Sequence, residues 1–262
     1  MEKLIIKRKT REWGGNIIAF VIVIVVNFLA NAIPLGGQTT GEISAKYPSL
    51  FTPAGYTFSI WGIIYLSLGG YVIYQALPAQ RESEVLAQIS KMFMINCVAN
   101  ASWLFAWHYD LLWISLVLMS VILITLVLIY KTLDSGNSTA SRVRRLLVHL
   151  PFSLYIGWIT VASIANISVV QTGMNWDNIG INAAIWTIVK IGIAGAIGAA
   201  VMLSKGDIAF ALVVGWAALG IAVKQGLDPM VAGSAGTIVV MIVLLVVFEV
   251  IRKRSKLFDL QT

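Results

Sequence analysis

Residues 111–130 read LLWISLVLMSVILITLVLIY and contain no charged side chain. The hydrocarbon core of a membrane is about 30 Å thick and is crossed by about 20 helical residues, so this stretch is long enough to span it. Lipid offers the backbone no hydrogen-bond partners, and the sequence lacks the alternating pattern of a membrane β-barrel. The stretch therefore predicts a transmembrane α-helix.

Similar apolar runs recur along the whole chain, which is 58% hydrophobic and only 12% charged. Soluble domains carry about a quarter charged residues. We predict an all-α, polytopic membrane helix bundle in which the third span is the most polar and the seventh is short. The predicted spans, about eight in number, lie near residues 14–34, 55–77, 90–108, 111–131, 146–170, 181–203, 207–224 and 231–252.

The basic residues are distributed unevenly between these spans. They cluster before the first span, in alternate loops and after the last span, whereas the other loops hold only Lys46 and Lys224. Cytoplasmic loops of membrane proteins are enriched in Lys and Arg, so we predict that both termini are cytoplasmic, which requires an even number of spans. Because the basic residues flank spans, the net charge of +7 does not indicate a nucleic-acid partner.

The first apolar run has two interpretations. Basic residues, an apolar stretch and the sequence Ala30-Asn31-Ala32 resemble a cleavable signal peptide. The run is long, however, and Asn27 and Asn31 lie four residues apart on one helical face, as expected for a side-chain seam inside a bundle. We favour an uncleaved first helix. The following loop, residues 35–54, is rich in Gly and Pro and is predicted to cross the outer mouth of the bundle.

Few residues suggest catalysis or ion coupling. No carboxylate falls in the middle of a predicted span, although ion-coupled transporters usually depend on one. The single cysteine, Cys97, and the two histidines, His108 and His149, have no metal-ligand spacing, and no nucleophile motif is present. We therefore expect no enzymatic activity, no metal site and no resident cofactor.

Lys190 is the one charged residue that lies deep in a predicted span. Such a lysine either binds an anionic ligand, forms a Schiff base, or faces a polar seam where carbonyls or hydroxyls accept its hydrogen bonds. The sequence leaves these alternatives open. On the same helix, Gly192, Gly195 and Gly198 predict close helix packing rather than a dinucleotide-binding loop, because they lie inside a span.

Aromatic and amide side chains suggest a binding pocket. Tryptophan favours the headgroup level of a membrane, which accounts for Trp113 and Trp176 but less well for Trp61 and Trp158, which lie deeper. Amides inside the predicted spans, each of which needs a partner, are Asn96, Asn100 and Asn166. A pocket with flat aromatic walls and a few amides suits a large, planar, mostly apolar ligand.

Three segments carry a family resemblance. Residues 53–69, PAGYTFSIWGIIYLSLG, resemble the second-helix signature of the TspO/MBR family, the tryptophan-rich sensory proteins related to the mitochondrial translocator protein. Residues 100–107, NASWLFAW, are similar to the third-helix pattern, and residues 158–166, WITVASIAN, look like the fifth-helix pattern. The three signatures follow in the family's order, and the resemblance covers about residues 14–170.

The resemblance implies a five-helix domain, residues 1–175, that binds tetrapyrroles or other hydrophobic ligands beneath the first loop. It places at the site Trp61, Tyr65, Asn100, Trp103, Trp107, Trp158, Ala162 and Asn166, to which we add Lys190 from its depth in the membrane. In one departure from the family pattern, a tandem proline is reduced to Pro53 followed by Ala54. In another, residues 176–262 form an additional three-helix extension, whose role the sequence does not give.

Three functions are compatible with these patterns. The first is a membrane receptor or sensor that binds a tetrapyrrole, such as a porphyrin or haem, as its ligand. The second is a transporter or permease for a hydrophobic or amphipathic small molecule, and the third is a scaffold or a photoreceptor that uses Lys190. The expected partners are a hydrophobic ligand, the lipid bilayer and a second copy of the chain as a homodimer. We expect a multi-pass protein of a prokaryotic cell membrane.

Overall fold

The computed structural model describes residues 9–33, 37–133 and 140–258, and this part of the chain is helical with no strand. The basic residues before Lys9 and the side chain of Asn31 lie outside the described part. The α-helices are α1 Thr10–Ala32, α2 Thr40–Lys46, α3 Ile60–Ala76, α4 Glu84–His108, α5 Leu112–Leu133, α6 Arg142–Arg144, α7 Leu150–Gly173, α8 Ala183–Lys205, α9 Ile208–Lys224 and α10 Pro229–Phe258. A 3₁₀ turn, Gly55–Ser59, leads into α3, and a π-helical turn, Arg145–His149, joins α6 to α7.

Each of the predicted spans coincides with a helix, and the prediction of a polytopic all-α membrane bundle is confirmed. Among the described residues, six helical segments are long and apolar enough to cross a membrane. They are Thr10–Ala30, Gly55–Ala76, Leu112–Leu133, Arg142–Gly173, Ala183–Lys205 and Pro229–Lys253. The two remaining predicted spans correspond to α4, which is long but more polar, and α9, which is apolar but shorter. They are the two spans that the sequence predicts to be the most polar and short, respectively.

The polarity of α4 is explained in part by the face that it buries in the bundle, where it packs between α1 and α5. Asn96 of α4 is buried, and its amide donates to Ile122 O at 3.1 Å and to Thr125 Oγ1 at 2.9 Å. A polar side chain in a membrane protein is stable when protein groups replace water as its hydrogen-bond partners. The buried polar residues of α4, such as Asn96 and Asn100, therefore face protein rather than lipid.

Contacts at the two ends of the bundle agree with the sorting of residues by charge. At the end assigned to the cytoplasm, the Arg81 guanidinium lies over the Trp13 ring, 5.0 Å from its centroid. At the opposite end, Lys46 forms a salt bridge with Asp110. Residues that the charge pattern places on one side thus meet one another. Which end faces the cytoplasm stays a prediction of the charge pattern.

Helices α8, α9 and α10 pack together and join the rest of the bundle through α7 and α9. A Cβ added at Gly157 of α7 would lie 3.1 Å from Phe210 O and 3.2 Å from Val213 Cβ, both on α9. At the inner end, the buried Asp207 carboxylate accepts hydrogen bonds from the Tyr130 hydroxyl at 2.7 Å and the Ser153 hydroxyl at 2.6 Å. The extension is therefore fixed to α5 and α7 by both close packing and buried hydrogen bonds.

The small residues of α8 have the packing role that the sequence predicts at two of three positions. Gly198 faces Val214 of α9 and Ile242 of α10, and Gly195 faces Ile238 of α10. Gly192 has nothing within 4 Å of its added Cβ, so the prediction of a packing role is wrong there. Its side of α8 is exposed to the surroundings of the bundle.

We predict that Gly157→Leu separates α7 from α9 and destabilises the protein by about 1–3 kcal/mol, since a larger side chain in a filled contact forces the backbones apart. Thermal unfolding of the detergent-purified protein measures the effect. Gly192→Leu is the matched control, because the same side chain there meets open space. Equal melting temperatures for the two variants would contradict the close approach of α7 and α9.

Candidate functional site

Two adjoining cavities lie beneath α2, at the end of the bundle where the first loop crosses it. The wider cavity has a volume of about 410 Å³ and opens between α1, α2, α3 and α4. The narrower cavity, about 40 Å³, extends toward α5 and α7. The side chains that line both cavities, and so form the partition between them, belong to Thr40, Phe58, Trp61 and Trp103. The position beneath the first loop is the one that the family resemblance implies.

The structure brings most of the predicted core residues to these cavities. Tyr65 lines the wider cavity, and Trp61 and Trp103 line both. The narrower cavity is also lined by Trp107, Trp158, Ala162 and Asn166. Asn100 lines neither cavity but bonds to aromatic residues around them, and Lys190 lies in a different cavity altogether.

Trp61 is the centre of the aromatic cluster between the two cavities. Its ring stacks on Tyr65 with centroids 5.2 Å apart, and it meets Trp158 edge to face at 6.2 Å. Trp103 and Trp107, one helical turn apart on α4, also stack at 5.2 Å. These pairs have the offset and edge-to-face geometries that aromatic rings prefer. The cluster offers flat apolar faces from three helices to a bound molecule.

Buried polar atoms of the narrower cavity lack hydrogen-bond partners among the described residues. They are Trp103 Nε1, Trp158 Nε1, Asn166 Oδ1 and Thr40 Oγ1. An unpaired buried polar group costs about 1–3 kcal/mol, so several in one place need an explanation. Because all four side chains line the same cavity, the pattern is the one expected of a site whose ligand supplies the missing partners.

Asn100 organises the side chains beneath the wider cavity. Its amide nitrogen donates to the Tyr155 hydroxyl at 2.8 Å. Its carbonyl oxygen accepts from the Asn27 amide at 3.2 Å and from the Tyr65 hydroxyl at 3.5 Å. Asn100 therefore positions Tyr65, a cavity wall, and shares its network with Asn27, which also lines the wider cavity. Its role in the site is to orient other residues.

Three further residues lie at or beside the cavities and were not predicted from the sequence: Tyr155, Phe58 and Thr40. Tyr155 lies one helical turn before Trp158, and its ring contacts Trp61 at 5.8 Å. Phe58 meets the Trp158 ring at 5.8 Å and lies within the quoted second-helix segment. Thr40 has no comparable signal, because only the folded first loop brings it to the cavity. Asn27 was predicted to lie on a side-chain seam of α1, but that seam was not connected with a pocket.

The first loop contains a helix that its Gly and Pro content concealed. Thr39 and Glu42 cap α2 reciprocally, since Glu42 N donates to Thr39 Oγ1 at 3.3 Å and Thr39 N donates to Glu42 Oε2 at 2.7 Å. Trp107 Nε1 donates to Thr40 O at 3.1 Å, which fixes the start of α2 over the cavities. A capped helix thus covers the site in place of the irregular loop that was predicted.

The end of α2 is fastened to the corner between α4 and α5. Lys46 forms a salt bridge with Asp110, and the Tyr47 hydroxyl donates to Asp110 Oδ1 at 2.8 Å. Burial acts to raise the pKa of Asp110, but the hydrogen bonds from Lys46 and Tyr47 outweigh it and hold this pKa below its ordinary value. The carboxylate is therefore ionised at neutral pH and holds both residues.

The segment between α2 and α3 is held from the other side by the C-terminal extension. Trp216 Nε1 of α9 donates to Thr57 O at 3.0 Å, and Ala54 N donates to Gly220 O at 3.0 Å. A Cβ at Gly220 would clash with Thr57 Oγ1, so α9 approaches this segment as closely as glycine permits. Because Phe58 belongs to the same segment, α9 supports the wall of both cavities.

Lys190 lies in a third cavity of about 430 Å³, between α7, α8 and residues 48–50. Its amino group donates to Ser168 Oγ at 2.9 Å and to Gln171 Oε1 at 2.6 Å. The predicted polar seam is therefore present, and the lysine also faces a cavity. Within the described residues no group of three or more His, Cys, Asp or Glu side chains is placed to hold a metal ion.

Comparison with protein families gives one result. The model of a family described as TSPO-like protein matches residues 13–248. The match extends beyond residues 14–170, which carry the three signatures, through α8 and α9 and into α10. No curated protein and no solved structure matches the chain significantly.

We predict that Asp110→Asn loosens the end of α2, because it removes the charge that holds Lys46 and leaves a single acceptor oxygen for Lys46 and Tyr47. Trypsin cleavage after Lys46, followed by mass spectrometry of the detergent-purified protein, should become several-fold faster. In the wild type the contacts of ionised Asp110 with Lys46 and Tyr47 are complete at pH values above the ordinary carboxyl pKa of about 3.9. They are lost as the pH falls through the lower pKa that Asp110 has in the folded protein. Cleavage should therefore be insensitive to the ionisation of Asp110 between about pH 6 and 8.

Asp228→Asn is the control, since Asn is an equally good helix cap and Asp228 accepts from Met230 N and Val231 N at the start of α10. If Asp110→Asn is cleaved after Lys46 at the wild-type rate, the contacts of Asp110 with Lys46 and Tyr47 do not hold the end of α2.

Proposed function

The chain belongs to the TSPO-like protein family, whose model matches residues 13–248, and we propose that it is a membrane receptor or sensor for a planar, hydrophobic ligand such as a tetrapyrrole. The ligand site is the pair of cavities beneath α2. The observation that carries the proposal is a pair of buried indole N–H groups beside the same aromatic cavity, Trp103 Nε1 and Trp158 Nε1, which have no partner in the described part of the chain.

The shape and chemistry of the lining favour this ligand class. The rings of Trp61, Trp103 and Trp158 supply flat surfaces on which a conjugated ring system packs over a large area. The indole N–H groups donate only, so they suit a ligand with acceptor groups at its edge, such as the carboxylates of a porphyrin. Asn166 Oδ1 and Thr40 Oγ1 accept from any N–H or O–H of the ligand.

Binding requires the two cavities to merge. A volume of about 40 Å³ holds little more than a water molecule, whereas the neighbouring cavity of about 410 Å³ lies in the ordinary range for ligand sites. Phe58, Trp61 and Trp103 separate the two. Rotation of these side chains toward the ligand would join the volumes and bring the unpaired N–H groups within its reach.

The packing beyond the cavities favours a receptor over a passage through the bundle. In the inner half, the fully buried rings of Tyr71, Phe93 and Phe152 pack edge to face with centroids 5.1, 4.9 and 5.9 Å apart. These rings fill the space between α3, α4 and α7. A ligand that enters beneath α2 therefore meets a packed core and not a path to the other side.

The test is a titration of the detergent-purified protein with protoporphyrin IX, followed through the ligand's own absorption band. We predict saturable binding to the wild type and an affinity reduced about 2–10-fold in both Trp158→Phe and Trp103→Phe, which keep an aromatic ring but lose the N–H donor. Because the absorption signal comes from the ligand, it does not depend on which tryptophans each variant retains.

Trp113→Phe serves as the control, because Trp113 is 58% exposed whereas Trp158 is 3% exposed. Its affinity for protoporphyrin should equal that of the wild type. Absence of saturable binding, or equal losses in all three variants, would refute the proposed site.

A further inference from the structure

The cavity that contains Lys190 is separate from the ligand site described above and differs from it in chemistry. It shares no lining residue with the two cavities beneath α2. Hydroxyl and amide side chains provide much of its wall, from Ser168, Gln171, Thr172, Asn175, Asn178 and Thr187. Where the core cavities suit an apolar ring system, this one suits a polar, hydrogen-bonding molecule.

Lys190 has no anionic partner among the described residues. The salt bridges there join Lys46 to Asp110, and Arg252 and Lys253 to Glu249. Both hydrogen-bond acceptors of the lysine in the described part of the chain, Ser168 Oγ and Gln171 Oε1, are neutral. An ammonium group has three N–H donors, so one is left for a further acceptor. No lining residue of the cavity is acidic.

The nearest acidic residue in sequence is already engaged. Asp177 lies between the lining residues Trp176 and Asn178, but its carboxylate accepts from Ile179 N at 2.9 Å. Its bond stabilises the turn that leads into α8. Lys190 is thus a half-buried cation whose charge is balanced by no described side chain, which is costly inside a membrane protein.

The backbone adds to the positive potential of the cavity. The first helical residue of α8, Ala183, lines it, and a helix N-terminus carries a partial positive charge. Lys190 lies about 10 Å along the helix axis from Ala183, at 1.5 Å per residue. An anion between them would interact favourably with both.

We propose that this cavity binds the phosphate group of a small, hydroxylated anion, with Lys190 as its principal charged contact. The volume of about 430 Å³ exceeds what a bare phosphate occupies and leaves space for an attached glycerol or similar polyol. The hydroxyls and amides of the wall are the groups that bind such a polyol. The phosphate is supplied either by a phospholipid headgroup or by a soluble organic phosphate.

The experiment has one arm for each source. Isothermal titration calorimetry of the detergent-purified protein with glycerol 1-phosphate tests the soluble source. Native mass spectrometry, after reconstitution in nanodiscs of phosphatidylcholine with or without phosphatidylglycerol, tests retention of the anionic lipid. Binding in the first arm assigns a soluble ligand, and binding in the second arm alone assigns a lipid headgroup.

Two variants test the role of the lysine. Lys190→Met removes the charge and should lower anion binding about tenfold or more, whereas Lys190→Arg should retain most of it. Gln171→Glu places a carboxylate beside Lys190, so the protein supplies its own counter-ion and should exclude the phosphate while remaining folded. This second variant gives a result even where Lys190→Met does not fold.

Lys224→Met is the matched control, because Lys224 lies at the same end of the bundle, at the end of α9, and outside the cavity. It should bind the anion as the wild type does. Binding of neither probe by the wild type would overturn the proposal. Wild-type affinity in Lys190→Met or Gln171→Glu would also overturn it. Protoporphyrin affinity should be unchanged in every variant, which separates this site from the one beneath α2.

Discussion

The structure depends on one constraint, that a polar group surrounded by hydrocarbon must find its hydrogen-bond partner within the protein. Asn96 meets this requirement through Ile122 O and Thr125, and Asn100 meets it through Tyr155 and Asn27. Such pairs tie α4 to α1, α5 and α7, so the polar residues on the buried face of this helix are satisfied by the protein. By the same requirement, a buried polar group without a partner needs an explanation. Among the described residues, Trp103 Nε1 and Trp158 Nε1 lack partners, as does Asn166 Oδ1 beside them, and they line the cavity that we assign to a ligand.

Sequence patterns were sufficient for the parts of the fold that hydropathy and helical period determine. A charge-free run such as residues 111–130 predicts a span, and Trp158 and Asn166 follow from a signature whose residues share one helical face. A high mean hydropathy, however, is typical of helices that expose much of their surface to lipid. The criterion is therefore less sensitive to a helix such as α4, which buries polar side chains against its neighbours. The helix α2 escaped prediction because its glycine and neighbouring prolines indicate a loop, although the sequence from Thr39 to Glu42 contains the capping box that starts it.

Packing between distant segments was beyond the reach of sequence patterns. Nothing in the sequence links Trp216 to Thr57, yet this hydrogen bond and the contact at Gly220 place α9 against the wall of the two cavities beneath α2. Lys190 illustrates the same limit. Its depth along α8 and its lack of an acidic neighbour were predictable, but its position in a separate polar cavity follows only from the way α8 packs beside α7.

The aromatic rings of Tyr71, Phe93 and Phe152 have a consequence for the energetics of the membrane itself. A cavity of several hundred cubic ångströms within a bundle shortens the distance that water and protons have to cross through hydrocarbon. Here the two cavities beneath α2 lie toward one end, and the three rings fill the interior between α3, α4 and α7 with packed, low-dielectric material. The protein can thus keep an open volume on one side of the membrane while packed rings separate that volume from the other side, which limits the leakage of ions and protons.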